Sequence, residues 1–277
     1  MTMKTTKPWS LYLALIPLGL LIYQNLLVLT LRLPTLPVKD IGVAMFIAFF
    51  SLLHSIDTLG WRNTLAFLGI TLVVSWGFEQ TGAATGLIYG VYHYSDALGP
   101  KLGHVPYAIP VAWYSMLYLS YRIALLITEG VSHRAQSSLP TLLWQAFVSG
   151  MVMTAWDVLV DPMASGPKAL SWVWENGGPF YGVPTQNFVG WVLTGFTVIL
   201  LYSLYERYLT SHPLAPQKHR VLVLPLLAYG LVMMQLMLRA DAPSEWPVLA
   251  AFVMGMPLLA SISQLLRGKD ELVSNCL

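Results

Sequence analysis

The sequence predicts an all-α integral membrane protein, a bundle of about eight transmembrane helices. Two observations lead to this prediction. The chain has 277 residues, of which 56% are hydrophobic and only 10% charged, whereas soluble domains carry about 25% charged residues. Its apolar residues also form runs that approach the length of about 20 residues needed to cross a bilayer as a helix. Helices are expected rather than open strands, because backbone polar groups in lipid must be paired within the segment.

The apolar segments predict a single transmembrane domain over residues 1–277. The first segment follows Lys4 and Lys7, but it is too long for the apolar region of a signal peptide, so we interpret it as a membrane helix. We expect the functional core at about 63–206. The eight segments lie at 9–31, 39–56, 63–81, 107–128, 139–161, 185–206, 220–238 and 246–266.

Two connections between these segments differ from the rest. Residues 82–106 and 162–184 are long, nearly uncharged and rich in Gly, Pro and aromatic residues. The alternation of segments places both on the membrane face opposite the termini. Long apolar loops of this kind are expected to fold back into the membrane or to cap a cavity, where irregular backbone is protected.

The distribution of basic residues predicts that both termini are cytoplasmic. The membrane is expected to be the inner membrane of a bacterium. Ten of the 15 Lys and Arg residues, Arg122 among them, fall on the side of the termini, and such residues are enriched in cytoplasmic connections. The net charge of +2 is too small to suggest nucleic acid. The single cysteine, Cys276, excludes an intrachain disulfide and a cysteine-based metal site. The five basic residues on the other face are Arg32, Lys39, Lys101, Lys168 and Arg239.

The two long loops belong to regions that resemble each other. The pattern V-P-x4-V-x-W begins at Val105 and again at Val183, 78 residues later, and the same offset carries Glu79 onto Asp157. The sequence therefore predicts a duplicated pair of helices, with residues 63–128 equivalent to 141–206. A chance repetition of common residue types is the alternative.

Three acidic residues are the main candidates for chemistry, because carboxylates within a membrane are costly and usually functional. Asp157 and Asp161 are spaced i, i+4, which places both on one face of a helix. Glu79 ends the third segment at the same membrane face. Neighbouring carboxylates away from water retain a proton near neutral pH, and such a proton is available to a substrate. The structural alternative for any one acid is local capping or pairing, for example with Lys101 or Lys168.

Aromatic residues surround the three acids in the sequence. An interfacial belt is the ordinary explanation for most of them. The functional alternative is a cavity in which ring faces stabilise a carbocation. Asn187 is expected either to orient a water molecule or to hydrogen-bond a loop. The candidate substrate-binding residues are Trp156, Asn187, Tyr89, Tyr92, Tyr94, Trp113, Tyr181 and Trp191.

Several motifs that would indicate other chemistry do not occur in the sequence. The histidines show no HxxxH or HxxHH clustering, which disfavours a di-iron site. No DDxxD cluster is present for magnesium diphosphate, and no P-loop, GxGxxG or GxSxG motif occurs. The sequence therefore predicts acid catalysis without a metal ion or cofactor.

Two blocks of sequence resemble a known family. The first, from Trp76 to Tyr94, contains E-x2-G-x2-T-G-x2-Y-G-x-Y-x-Y. Together the blocks span about 70–205 and resemble the membrane-embedded carotenoid hydratases of bacteria and archaea, of the γ-carotene 1',2'-hydratase and bisanhydrobacterioruberin hydratase type. The second block consists of Ala155-Trp156-Asp157, Asp161-Pro162-Met163, Trp172-x-Trp174, Phe180-Tyr181-Gly182-Val183-Pro184, Asn187-Phe188 and Gly190-Trp191.

The resemblance implies that water is added across the terminal 1,2 double bond of a carotenoid ψ end group, giving a tertiary alcohol. The partners are then a hydrophobic carotenoid, water and membrane lipid, and no cofactor is needed. Our hypothesis is that Asp157 or Asp161 donates the proton, while the other acid or Glu79 orients the water. Protonation of the alkene, a positioned water and a shielded cavity are what this reaction requires.

Two other functions are carried as alternatives. A terpene or carotenoid cyclase would start with the same protonation but exclude water. A non-catalytic isoprenoid carrier or a proton-coupled transporter belongs to another class. A transporter should show polar residues continuing through the bundle, and the first, seventh and eighth segments offer only a few, namely Gln24, Asn25, Gln235 and Gln264.

Overall fold

The computed structural model describes residues 9–34, 36, 40–131, 138–210, 219–239 and 242–274. Within these ranges the chain forms eight long helices in the predicted order. Helix α1 contains a π-helical turn, Tyr23–Leu27, between Trp9–Ile22 and Val28–Leu31. The others are α2 (Asp40–Leu59), α3 (Trp61–Thr85), α4 (Ala108–Glu129), α5 (Leu139–Ala164), α6 (Thr185–Leu209), α7 (His219–Leu238) and α8, formed by Trp246–Val253 and Gly255–Ser274.

These helices confirm the prediction of an all-α integral membrane protein. Six helices in the described part of the chain are long and apolar enough to cross a bilayer, namely α1 and α4 to α8. Helix α2 contains a shorter apolar stretch, Ala44–Leu59. Helix α3, which carries Arg62, Glu79 and Gln80, is outside this set. The sequence predicts about eight transmembrane helices, and the length and composition of the helices support six of them.

The helix ends that flank the long loops follow from local sequence. Helix α3 ends at Gly86, which adopts the left-handed conformation (φ 72°) that favours glycine after a helix. Helix α5 begins after Ser138, whose hydroxyl accepts a hydrogen bond from the Thr141 amide. Helix α6 begins after Pro184, which is extended and lacks a backbone N–H to continue the loop pairing.

The two long loops are joined to each other by a small antiparallel sheet. Strand β1 (Tyr92–Tyr94) comes from the first loop and pairs with β4 (Trp172–Trp174) from the second, so that Tyr92 lies opposite Trp174 and Tyr94 opposite Trp172. Two shorter strands, β2 (Lys101–Leu102) and β3 (Val105–Pro106), form a hairpin within the first loop. The loops therefore form one continuous cover over the same end of the helices.

The structure supports the predicted duplication at several independent places. Helix α3 shifted by 78 residues coincides with α5, and α4 coincides with α6, to within two residues at each end. The hairpin pair Leu102 and Val105 has its equivalent in the bridge between Phe180 and Val183. In the sheet, Tyr94 pairs with Trp172, its own equivalent. Helix α3 contacts α6, and α4 contacts α5, as a pseudo-twofold arrangement of two helix pairs requires.

One of the ten basic residues counted on the side of the termini does not lie in a connection between helices. Arg122 lies inside α4 and is buried, so it does not mark a connection. The orientation of the termini stays a prediction, since much of the count falls outside the described residues. The basic residues outside the described part of the chain are Lys4, Lys7, Lys39, Arg134 and Lys218. Cys276 also lies outside it.

Candidate active site

Glu79, near the end of α3, is held by three hydrogen-bond donors. Residues two apart in a strand face the same side of a sheet, so Tyr92 and Tyr94 of β1 both reach this carboxylate. Their hydroxyls donate to Oε2 at 2.6 and 2.7 Å. The indole N–H of Trp113 in α4 donates to Oε1 at 2.9 Å. Both oxygens of this buried side chain are therefore satisfied.

The hydroxyls of Tyr92 and Tyr94, which donate to Glu79, keep their protons. Burial, and the negative charge of Glu79 next to them, raise the pKa of the Tyr92 hydroxyl and the pKa of the Tyr94 hydroxyl above the ordinary value for tyrosine. Both hydroxyls consequently keep their protons at physiological pH and continue to donate to the carboxylate.

Asp161, one turn after Asp157 in α5, is also surrounded by donors. Trp172 and Trp174 of β4 face the same side of their strand, and their indole N–H groups donate to Oδ1 at 2.8 and 2.9 Å. The amide nitrogen of Asn187, in the first turn of α6, donates to Oδ2 at 2.7 Å. The second loop thus orients Asp161 as the first loop orients Glu79.

Asp157 differs from the other two acids because only one of its oxygens is bound. Asn187 donates to Oδ2 at 2.9 Å, so its amide bridges the two aspartates. The other oxygen, Oδ1, is buried and has no hydrogen-bond partner among the described residues. Buried polar atoms are nearly always paired, and among the carboxylate oxygens of the three acids Oδ1 of Asp157 is the one without a partner in the described part of the chain.

A cavity of about 260 Å³ connects the three acids. Its walls come from the six helices α2 to α7 and from both loops. The indoles of Trp113 and Trp191 stack at its wall with centroids 4.1 Å apart, and Trp156 lies 5.9 Å from Trp191. A carboxylate-containing, aromatic-walled chamber is the arrangement that shielding of a cation requires.

The cavity brings together all but one of the predicted site residues. Tyr181 does not line it: the ring meets Trp246 of α8 edge-on at 4.9 Å and is 48% exposed. Its backbone adopts a positive φ of 49°, which is uncommon for a residue other than glycine. The residues that do line the cavity are Glu79, Tyr89, Tyr92, Tyr94, Trp113, Trp156, Asp157, Asp161, Asn187 and Trp191.

Tyr89 is held in place by two glycines from different helices. A Cβ atom at Gly82 of α3 would lie 2.6 Å from the Tyr89 ring, and one at Gly190 of α6 would lie 2.5 Å from it. The hydroxyl shares a 2.7 Å hydrogen bond with Thr194. The glycines therefore let the first loop insert an aromatic ring between the two duplicated helix pairs.

Trp172 and Trp174 also line the cavity and donate to Asp161, although neither was among the candidates predicted from the sequence. They were noted only as part of the W-x-W motif, and nothing in the sequence connected them to Asp161. The available signal was their spacing of two residues, which places both indoles on one face of a strand. The same spacing in Y-x-Y brings Tyr92 and Tyr94 to Glu79.

The proposed structural partners of the acids lie elsewhere. Lys101 donates to the backbone oxygen of Tyr94 at 2.8 Å and to Asp96 at 3.0 Å, and Lys168 is exposed. In α1 and α7, Asn25 donates to Gln235 at 3.2 Å. Gln235 also lines the cavity, so this pair joins α1 to α7 at the cavity wall.

Metal binding was not expected from the sequence. Among the residues that the structure describes, no three His, Cys, Asp or Glu side chains are grouped as metal ligands. The prediction of a reaction without metal or cofactor stays a prediction.

Comparison with known proteins places the chain among proteins of carotenoid synthesis. A family model described as "Carotenoid biosynthesis protein" matches residues 40–258. The chain belongs to this family. Its matched range includes every residue of the site, so the resemblance seen in the two sequence blocks is confirmed at the level of the family.

The chain is also similar to a curated protein that is named as an enzyme. The bisanhydrobacterioruberin hydratase of Haloarcula japonica is 36% identical over 144 residues, which are 51% of this chain and 45% of that protein. The match thus spans about half the length of the relative. No solved structure matches the chain.

Proposed function

We propose that this carotenoid biosynthesis protein adds water across the terminal 1,2 double bond of a carotenoid ψ end group, and that Asp157 donates the proton. Two observations support the assignment: Asp157 lines the cavity, and its buried Oδ1 has no hydrogen-bond partner among the described residues. The hydratase name of the relative supports the choice of water as the second substrate.

The reaction starts with Asp157 carrying a proton on Oδ1. The alkene π electrons take this proton at C2, and positive charge develops on the tertiary carbon C1. Water attacks C1 through its oxygen lone pair, and the resulting oxonium returns one proton to Asp157. The net change is alkene plus water to tertiary alcohol, with the acid regenerated, so one residue serves as general acid and then as general base.

Glu79 and Asp161 act differently from Asp157 in this proposal. Each accepts hydrogen bonds from three side-chain N–H or O–H groups, and such donors partly offset the cost of burying a charged carboxylate. Fixed negative charges at the wall of a cavity shielded from water stabilise a developing cation. The stacked indoles of Trp113 and Trp191 add the electron-rich faces of their rings.

Expression of the protein in a host that accumulates lycopene or γ-carotene tests this function. The expected product is heavier than its precursor by one molecule of water, and conversion of preformed carotenoid by isolated membranes in D2O should leave one non-exchangeable deuterium on C2. A product of unchanged mass with a new ring would show cyclisation instead. Recovery of unaltered carotenoid from a membrane that contains folded protein would contradict both reactions.

We also propose the predicted topology, an inner membrane location with both termini in the cytoplasm. The cavity and its loop cover would then lie toward the opposite face. The support is the excess of Lys and Arg on the side of the termini. Alkaline phosphatase, which is active only outside the cytoplasm, should be inactive when fused after residue 277 and active when fused after Gly99 in the first loop.

A further inference from the structure

Part of the cavity wall comes from α2 and α7, which carry none of the three acids. The beginning of α2 contributes the apolar residues Ala44, Met45 and Ile47, whereas the end of α7 contributes Val232 and Leu236 together with the polar Gln235, and Arg239 follows directly after the helix. Met45 is 39% exposed on the outer surface of the molecule while it also lines the cavity. The cavity therefore reaches the surface beside Met45.

The surface around this opening is of the kind that faces lipid. Phe49, one helical turn further along α2, is 51% exposed, and α2 is apolar from Ala44 to Leu59. The cavity also has an exposed lining residue in the second loop, Ala169, and its chain neighbour Lys168 is exposed too. The cavity thus has one edge among apolar helix residues and another beside a charged loop residue.

The size of the cavity requires an exit for a long substrate. Its volume of about 260 Å³ is below the range of roughly 300–1,000 Å³ that encloses drug-sized ligands, and a carotenoid is longer than such a ligand. One end group fits beside the acids, and the rest of the chain has to leave. Hydrocarbon that left toward water would lose the free energy of its burial, so the exit must face lipid.

We infer that the opening beside Met45 is the passage through which the polyene chain of the substrate extends from the cavity into the bilayer. This inference rests on the proposed function. It identifies the occupant as a linear isoprenoid hydrocarbon and places its reacting end at Asp157. Water would reach the acids separately, from the edge beside Ala169.

Chemical blocking of the opening after folding tests the inference. In a Cys276→Ser background, which removes the one native cysteine, Met45→Cys and Phe49→Cys are purified in detergent and labelled with a bulky maleimide. Phe49 is the matched control, because it is exposed on the same helix but does not line the cavity. Hydration of a full-length acyclic carotenoid and of a short acyclic isoprenoid with the same end group is measured before and after labelling.

The expected result is a selective loss. Labelled Met45→Cys should lose at least about tenfold in turnover of the long carotenoid, because the label fills space that the chain must occupy. Turnover of the short isoprenoid, which ends inside the cavity, should change by less than about threefold, and labelled Phe49→Cys should keep both activities. Unchanged turnover of the long carotenoid by fully labelled Met45→Cys would overturn the inference, as would equal losses for both substrates or for both positions. If the unlabelled protein hydrates neither substrate, the proposed function itself fails.

Discussion

Trp113 and Trp191 stack with their ring centroids 4.1 Å apart, and they occupy equivalent positions in the two halves of the duplicated core. Their indole N–H groups, however, differ in hydrogen bonding. Trp113 donates to Glu79 at 2.9 Å, whereas Trp191 makes no hydrogen bond to the corresponding Asp157 among the described residues. The two halves share a scaffold, but only the second leaves an acid with an unpaired oxygen.

This difference predicts unequal effects of matched substitutions. Trp113→Phe removes a donor from a buried carboxylate and should lower the free energy of unfolding by about 1.5–3 kcal/mol, the usual contribution of a hydrogen bond to a charged group. Trp191→Phe removes a similar part of the stacked ring but no hydrogen bond to a carboxylate, so it should be less destabilising than Trp113→Phe by about 1.5–3 kcal/mol. Thermal unfolding in detergent measures both, and equal destabilisation would contradict the asymmetry.

The three donors around Asp161 predict that it, unlike Asp157, is needed for stability. In Asp161→Asn the new amide nitrogen must point at donors, either the indoles of Trp172 and Trp174 or the amide of Asn187. We expect a loss of about 1–3 kcal/mol, since at least one buried donor is left unpaired. The control is Asp157→Asn, whose amide nitrogen takes the place of the unpaired Oδ1. If Asp157→Asn is the less stable of the two variants, the hydrogen-bond assignment is wrong.

The close approach of Tyr89 to Gly190 predicts that this glycine is intolerant of a side chain. In Gly190→Ala the Cβ would meet the Tyr89 ring at 2.5 Å and the backbone oxygen of Ile88 at 2.7 Å. We expect destabilisation of about 1–3 kcal/mol from overpacking, and reduced turnover because Tyr89 lines the cavity. Gly77→Ala in α3 is the control, because no atom lies within 4 Å of its added Cβ. That variant should be neutral or slightly stabilised.

The tyrosines beside Glu79 predict a loss of stability at alkaline pH. Burial and the charge of Glu79 raise the pKa of Tyr92 and the pKa of Tyr94 in the folded protein, while in the unfolded chain they ionise near pH 10. The stabilisation linked to their protonation is complete below that pH and is lost progressively above it. A Tyr92→Phe and Tyr94→Phe double variant should show a shallower fall in melting temperature above about pH 10 than the wild type. An identical fall would contradict the prediction.

The sequence was a good guide to the fold because the features that determine it are local. Runs of apolar residues located all eight helices, and the offset from Val105 to Val183 indicated the duplication. The exception is α3, for which the sequence does not decide whether the helix crosses the membrane. Polar residues such as Glu79 and Gln80 lower its mean hydropathy. A helix built around a site is less apolar than one that only crosses the membrane, so composition alone does not decide whether it spans.

The site was predictable in its acids but not in the way they are held. The i, i+4 spacing of Asp157 and Asp161 follows from helix geometry, but the partners of Asp161 come from a three-residue strand, which is too short for a periodic signal. Tyr181 was selected because it is aromatic and lies in the right loop. Its position depends on a positive φ and a contact with Trp246, neither of which the sequence reveals.

The most direct test is the rate of hydration by Asp157→Asn. With purified protein and an acyclic carotenoid in D2O, the wild type should form an alcohol carrying one carbon-bound deuterium. Folded Asp157→Asn should be slower by about 10²–10⁴-fold, the contribution of a general acid. Turnover of this variant at the wild-type rate, with the same incorporation of deuterium, would show that the proton comes from another group and would contradict the proposed mechanism.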